Sequence, residues 1–235
     1  EISCSLVGSE MCIRDRYMEY KMKNLVSASI LSADLLDLKN EIGKVVESGS
    51  DMLHFDVMDG VFVNNISFGF PMLEAVKKCT DICLDVHLMI SEPIKYIERF
   101  AKAGADIITF HLESESSTEK TIETIKKCGI RAGLSIKPNT EFEKVIPFIS
   151  NIDLLLIMTV EPGFGGQAYI DKMTDKIKKA YRYIKANNLD VKIQVDGGIN
   201  QNTAKAASEA GADILVAGNY LFRSENMKKA VESIR

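Results

Sequence analysis

The chain has 235 residues, with 29 Lys and Arg against 33 Asp and Glu, a net charge of −4, and 46% hydrophobic and 26% charged residues. That length suits one α/β barrel and the composition is that of an average globular protein. No basic tract asks for nucleic acid or an anionic membrane surface, and no apolar run reaches the ~18 residues of a membrane-spanning helix. Five cysteines without C-x-x-C or zinc-ribbon spacing point to reduced thiols in a cytoplasmic protein.

Residues 1–21, opening "EISCSLVGSEMCIRDRY", lack the charged, apolar and small-residue order of a secretory signal and have no helical or strand period. They resemble translated sequencing-adapter read-through. The expectation is a poorly ordered, non-native leader, a true start at Met18 or Met22, and a single (β/α)8 domain over 22–235.

From residue 25 one rhythm holds. Apolar runs "LVSASIL" (25–31), "MLHFDVM" (52–58), "ICLDVHLM" (82–89), "DIITFHL" (106–112), "RAGLSIK" (131–137), "DLLLIMTV" (153–160), "KIQVDGG" (192–198) and "DILVAG" (213–218) alternate with charged, helix-period segments. Among these are "SADLLDLKNEIGKVVES", with Ser32 as expected N-cap, and "KMTDKIKKAYRYIKANN". Strands alternating with helices predict parallel βαβ units, and eight of them predict an α/β fold, a closed TIM barrel. The motif "AGAD" occurs twice, ending at Asp106 and Asp213, with "SGSD" ending at Asp51. In each, a glycine ends a helix and an aspartate leads into a strand.

Barrel active sites lie at strand C-termini. The polar residues inside the apolar runs fall there: Ser29, His54, Asp56, His87, His111 and Asp196. Alternate strand residues share a face. His54, Asp56 and Met58 therefore share one face, as do Asp85, His87 and Met89, and Gln194 shares one with Asp196. Met158 lies on the face of Leu154 and Leu156. Turned inward, these sets bring His54, Asp56, His87 and Asp196 together near the barrel mouth. No Lys or Arg occupies these strand ends to neutralise the carboxylates, and unpaired charge in a confined interior is costly. Two imidazoles and two carboxylates suit one divalent ion, Zn²⁺, Fe²⁺ or Mn²⁺, with a position open for substrate oxygens. Met58, Met89 and Met158 are expected to give the mouth an apolar lining. Asp59, of opposite parity and before Gly60, is read as a turn carboxylate. Asp85 sits one layer deeper, either orienting a metal-bound histidine or serving packing alone. His111, without a partner in the sequence, is left out of the ligand set.

Glycine-bearing loops follow three adjacent strands, "EPGFGGQ" (161–167), "VDGGIN" (195–200) and "VAGN" (216–219). Backbone amides free of side-chain bulk can cradle a phosphate, and barrels commonly do so after strands seven and eight.

In order and spacing, "ILSAD", "HFDVMDGVFV", "DVHLMI", "EPGFGGQ", "VDGGIN" and "AGNYLF" resemble the ribulose-phosphate 3-epimerases over residues 24–235. The resemblance implies a metal-dependent barrel that epimerises D-ribulose 5-phosphate to D-xylulose 5-phosphate through a cis-enediolate. It implies His54, Asp56, His87 and Asp196 as metal ligands, with the histidines also contacting substrate. Asp56 and Asp196 would be the two acid/base groups. Substrate would be bound by Ser29, Gly163, Phe164, Gly165, Gly166, Gly197, Gly198, Gly218 and Asn219. It further implies a homo-oligomer. The chain departs from the family in Ala28 and Asn64, where prolines are usual, and in Asn219, where serine is usual; no catalytic group is lost. The nearest rival is the same chemistry on a hexulose 6-phosphate such as D-allulose 6-phosphate. Sugar-phosphate decarboxylases on related barrels favour Asp-x-Lys-x-x-Asp, and "HFDVMDG" has no lysine. A non-catalytic sugar-phosphate-binding barrel would have no need of two opposed carboxylates.

Overall fold

The computed structural model describes residues 24–235; the expected leader and both possible starts lie outside the described residues. Eight parallel strands close on themselves in sequence order, β8 pairing with β1. They are β1 Leu25–Ser29, β2 Met52–Met58, β3 Cys83–Met89, β4 Ile107–His111, β5 Arg131–Ile136, β6 Leu154–Met158, β7 Lys192–Asp196 and β8 Ile214–Ala217. This is the expected TIM barrel, each strand equal to its apolar run or up to three residues shorter. Among the described residues no helix is long and apolar enough to cross a membrane.

Parity divides the core. Leu53, Phe55, Val57, Leu84, Val86 and Leu88 join the layer packed under the helices. Met52, Ile107, Leu154, Leu156, Met158 and Ile214 fill the barrel interior. Covering helices are α1 Leu38–Glu47, α2 Phe70–Lys77, α3 Ile97–Lys102, α4 Thr118–Lys127, α5 Met173–Ala186, α6 Gln201–Ala210, the short α7 Asn219–Phe222 and α8 Met227–Ile234. Their apolar stripes follow the helical period, as with Met173, Ile177, Ala180 and Ile184 on α5. Asn200 opens α6 with a reciprocal capping box to Thr203.

Two expectations are corrected. Ser32 does not cap α1: it closes a 3₁₀ turn over Ile30–Ser32, and α1 starts only at Leu38. The reason is Asp34, whose carboxylate accepts the Leu36 N–H at 3.0 Å and holds a second 3₁₀ turn, Leu35–Asp37. The regular strand–helix alternation also fails once. Between β5 and β6 the chain makes 3₁₀ turns at Phe142–Lys144 and Ile149–Asn151, since Pro147 between them has no N–H to continue a helix.

The glycine–aspartate echo has a structural cause. Asp51, Asp106 and Asp213 accept the N–H of Val26, Leu84 and Ile193, each at 2.8 Å, and Asp153 does the same for Ala132. Each carboxylate ties the start of an even-numbered strand to the strand before it, at the barrel end opposite the site. Gly211 reaches this geometry with φ +112°, and a Cβ there would lie 2.4 Å from the Tyr181 ring, so only glycine fits.

Candidate active site

Register places the chemistry. His54 pairs across with Asp85, Asp56 with His87 and Met58 with Met89 on β2 and β3, while Met158 of β6 pairs with Asp196 of β7. Closure then brings one ligand atom from each of His54, Asp56, His87 and Asp196 within 4.8 Å of one another. His54 Nε2 lies 3.2 Å from Asp56 and 3.8 Å from Asp196; His87 Nδ1 lies 3.1 and 3.9 Å from the same two carboxylates. The histidines and Asp56 are buried, and the Asp196 side chain is 18% exposed.

Asp85 answers the question of parity one layer down. Its Oδ2 accepts from the Ser27 hydroxyl at 3.0 Å and the Gln194 amide at 2.5 Å, and it faces His54 Nδ1 at 2.8 Å. An ionised carboxylate only accepts, so a neutral His54 carries its one proton on Nδ1 and turns Nε2 upward, free to bind an ion. That atom is buried and has no hydrogen-bond partner. A bare imidazole nitrogen beside two carboxylates is the donor set of a divalent cation, and the residues fit one.

The two carboxylates differ. Burial raises both, but His54 and His87 outweigh it at Asp56 and hold that carboxyl far below the ordinary range. At Asp196 burial and the Asp56 charge prevail over the imidazoles and push it up to about 6. His54 is disfavoured as a cation by burial, yet Asp56 and Asp85 keep it well above the usual histidine value. Among the described residues the ion-pair partners of Asp56 and Asp196 are imidazoles alone.

Above the cluster opens a cavity of about 570 Å³. Of the sequence-predicted residues, Ser29, Asp56, Met58, Met89, Met158, Gly163, Phe164, Gly165, Gly166, Asp196, Gly197, Gly198, Gly218 and Asn219 line it. His54 and His87 do not; they lie beneath the floor. Ser29 donates to Asp56 Oδ2 at 2.8 Å. Gly198, at φ +67°, has room for no side chain, since a Cβ would meet the Tyr169 backbone nitrogen at 2.3 Å. Ser32, displaced from its expected helix cap, lines the cavity too.

The loop after β2 crosses the mouth. Asn65 donates to the Gly163 carbonyl at 2.8 Å, and Phe62 and Val63 approach Met58 and Met89. Asp59 anchors this loop as the turn carboxylate expected, accepting the N–H of Val61, Phe62 and Ser91 at 2.8–2.9 Å. Partial burial opposes its ionisation, but these N–H groups lower its pKa. Asp59→Ala is expected to cost about 1–3 kcal/mol in urea denaturation. Because the folded pKa is lowered, that contribution is complete above the ordinary aspartate value and is lost as pH falls through the folded one. The gap between wild type and variant should therefore narrow below about pH 4; a gap that widens there would refute the anchoring role.

His111 does have a partner, contrary to the sequence reading. Glu113, two residues on, faces its Nδ1 at 3.2 Å, and its Nε2 lies 2.9 Å from His87 Nε2. Burial holds the His111 imidazole down to about 4. Glu113 is lowered to about 2, hydrogen bonds from His111, Thr140 and the Lys137 N–H outweighing burial. The signal was present in "HLE", an i, i+2 pair at a strand end.

A sequence profile of the ribulose-phosphate 3 epimerase family matches residues 25–222. The chain is 47% identical over 211 residues to a ribulose-phosphate 3-epimerase of Bacillus subtilis (strain 168), covering 89% of this chain and 97% of that protein. It is 44% identical over 216 residues to a ribulose-phosphate 3-epimerase of Synechocystis sp., covering 91% and 94%. Among solved structures, the 3-hexulose-6-phosphate synthase of Salmonella typhimurium superposes with a TM-score of 0.68 at 18% identity, covering 89% of this chain and 96% of that one; this likeness bears on the fold alone.

Proposed function

The chain belongs to the ribulose-phosphate 3-epimerase family, isomerases acting on carbohydrate phosphates, and from that premise we propose that it epimerises C3 of D-ribulose 5-phosphate to give D-xylulose 5-phosphate. The observation that carries this reading is the pair Asp56 and Asp196 at the floor of one cavity, with two imidazoles and, among the described residues, no Lys or Arg side chain paired with them.

Epimerisation beside a ketone needs a C3 proton removed from one face and returned on the other. Two carboxyls in different protonation states can do this. Asp56, held ionised by His54 and His87 and fixed by Ser29, accepts the C3 proton. Asp196, whose carboxyl is raised, delivers one to the opposite face. The roles exchange in the reverse direction. His54, Asp56, His87 and Asp196 would hold the divalent ion, one of Zn²⁺, Fe²⁺ or Mn²⁺, which supplies positive charge to offset the negative charge developing on the substrate oxygens. Met58, Met89 and Met158 exclude water around C3. The backbone at Gly197, Gly198, Gly218 and Asn219, with the Gly163–Gly166 loop over it, receives the phosphate.

Paired kinetics test the substrate. The value of kcat/KM on D-ribulose 5-phosphate is expected to exceed that on D-allulose 6-phosphate by tenfold or more, about 1.4 kcal/mol of transition-state discrimination. A reversed ratio would assign the enzyme to the hexulose phosphate.

A further inference from the structure

The two imidazoles of the cluster are held by different means. His54 leans directly on a carboxylate, Asp85. His87 turns Nδ1 to the cluster and sets its Nε2 2.9 Å from Nε2 of His111, so its far side meets another imidazole. A hydrogen bond between two ring nitrogens needs one proton on one of them. His111 Nδ1 faces the Glu113 carboxylate at 3.2 Å, and a carboxylate only accepts, so the single proton of a neutral His111 sits on Nδ1. Its Nε2 is then a lone pair, and His87 must place its own proton on Nε2. With a divalent ion between them, that leaves His87 Nδ1 bare toward Asp56, 3.1 Å away, and Asp196.

We propose that His111 and Glu113 are positioning residues that set the tautomer of His87 and so make its Nδ1 a ligand for the divalent ion, an inference that rests on the metal reading above. Such outer partners orient a ligating ring and raise its basicity. Glu113 is itself fixed: its Oε1 accepts the Lys137 N–H at 2.8 Å and the Thr140 hydroxyl. Phe62 covers the relay, its ring 4.9 Å from that of His111 and 3.8 Å from the Lys137 ammonium. The loop after β5 thereby reaches the cluster through two rings.

Glu113→Gln tests the direction of the relay. The Lys137 N–H can only donate, so the new amide must keep its oxygen there and turn its NH₂ toward His111. His111 Nδ1 must then accept, its proton moves to Nε2, and that of His87 moves to Nδ1, the atom needed by the metal. The chain has three histidines, so ¹⁵N-histidine NMR of the zinc-loaded protein can resolve each ring. Wild type is expected to show His111 protonated on Nδ1 and His87 on Nε2. Chelator competition is expected to show zinc bound about 10–100-fold more weakly by Glu113→Gln. His111 protonated on Nε2 in wild type would overturn the proposal, and this result does not depend on the variant folding. So would a folded Glu113→Gln that binds zinc within twofold of wild type, with the metal reading left standing. A wild type that binds zinc, Fe²⁺ and Mn²⁺ no better than a His54→Ala, His87→Ala control would remove both.

Discussion

Asp196→Asn is expected to lower kcat for C3 epimerisation by about 10³-fold, the scale of a lost general acid/base, while leaving the barrel folded. Asparagine matches the shape of aspartate but carries no exchangeable carboxyl proton. The variant also removes a charge that the fold holds at a cost. Burial and the charge on Asp56 raise the Asp196 carboxyl to about 6, so the folded, metal-free protein favours its protonated form. Stability then declines as pH rises from the ordinary aspartate value through about 6. The asparagine variant has no such decline. At pH 8 and without metal it should be the more stable protein, on the order of 1–3 kcal/mol by urea denaturation. Turnover within tenfold of wild type would sink the two-carboxylate mechanism; an unfolded variant would instead mark Asp196 as structural. Activity lost with stability gained is the signature of a site selected for chemistry at the expense of the fold.

Stripping the divalent ion is expected to remove at least 99% of turnover on D-ribulose 5-phosphate, and adding one of Zn²⁺, Fe²⁺ or Mn²⁺ back should restore it. Binding to the folded state alone should also show in thermal unfolding. At a hundredfold excess over Kd the ion contributes about 2.7 kcal/mol, a rise of roughly 5–10 °C in Tm for a chain of this size. The two readouts separate a catalytic ion from a structural one, since a structural ion would move Tm and leave residual turnover in the folded, stripped protein. Full activity after chelation, with no shift in Tm, would mean that His54, Asp56, His87 and Asp196 work as a proton network alone. The buried Nε2 of His54 makes no hydrogen bond, which argues against that outcome: a proton network would engage this atom, and an ion would occupy it.

Much of this was legible in the chain. Period-two alternation in "MLHFDVM" and "CLDVHLM" assigns His54, Asp56 and His87 to one face whatever the tertiary structure, because successive side chains of a strand point to opposite sides. Eight such runs separated by helix-period segments leave few topologies besides a closed parallel barrel. Asp59 was separable from Asp56 on parity alone, and its three backbone N–H partners agree with a turn role. The glycines after strands six, seven and eight announced loops that come close to other backbone, as Gly198 does to Tyr169.

Other features depend on how the barrel closes. Ser32 had the local chemistry of a helix cap, but Asp34 two residues on competes for the same backbone and wins, and Ser32 goes to the cavity. His54 and His87 have the parity of the site, yet the stagger of the strands sets them beneath its floor while Asp56 and Asp196 reach the cavity. Which nitrogen each ring turns to the cluster cannot be read from its own strand. It is decided by Asp85 for His54, and by the run of Glu113 and His111 for His87. Sequence determines the face on which a side chain lies because that follows from the local backbone. Its depth, its tautomer and its charge follow from partners on other strands, and only the closed barrel brings those within hydrogen-bonding distance.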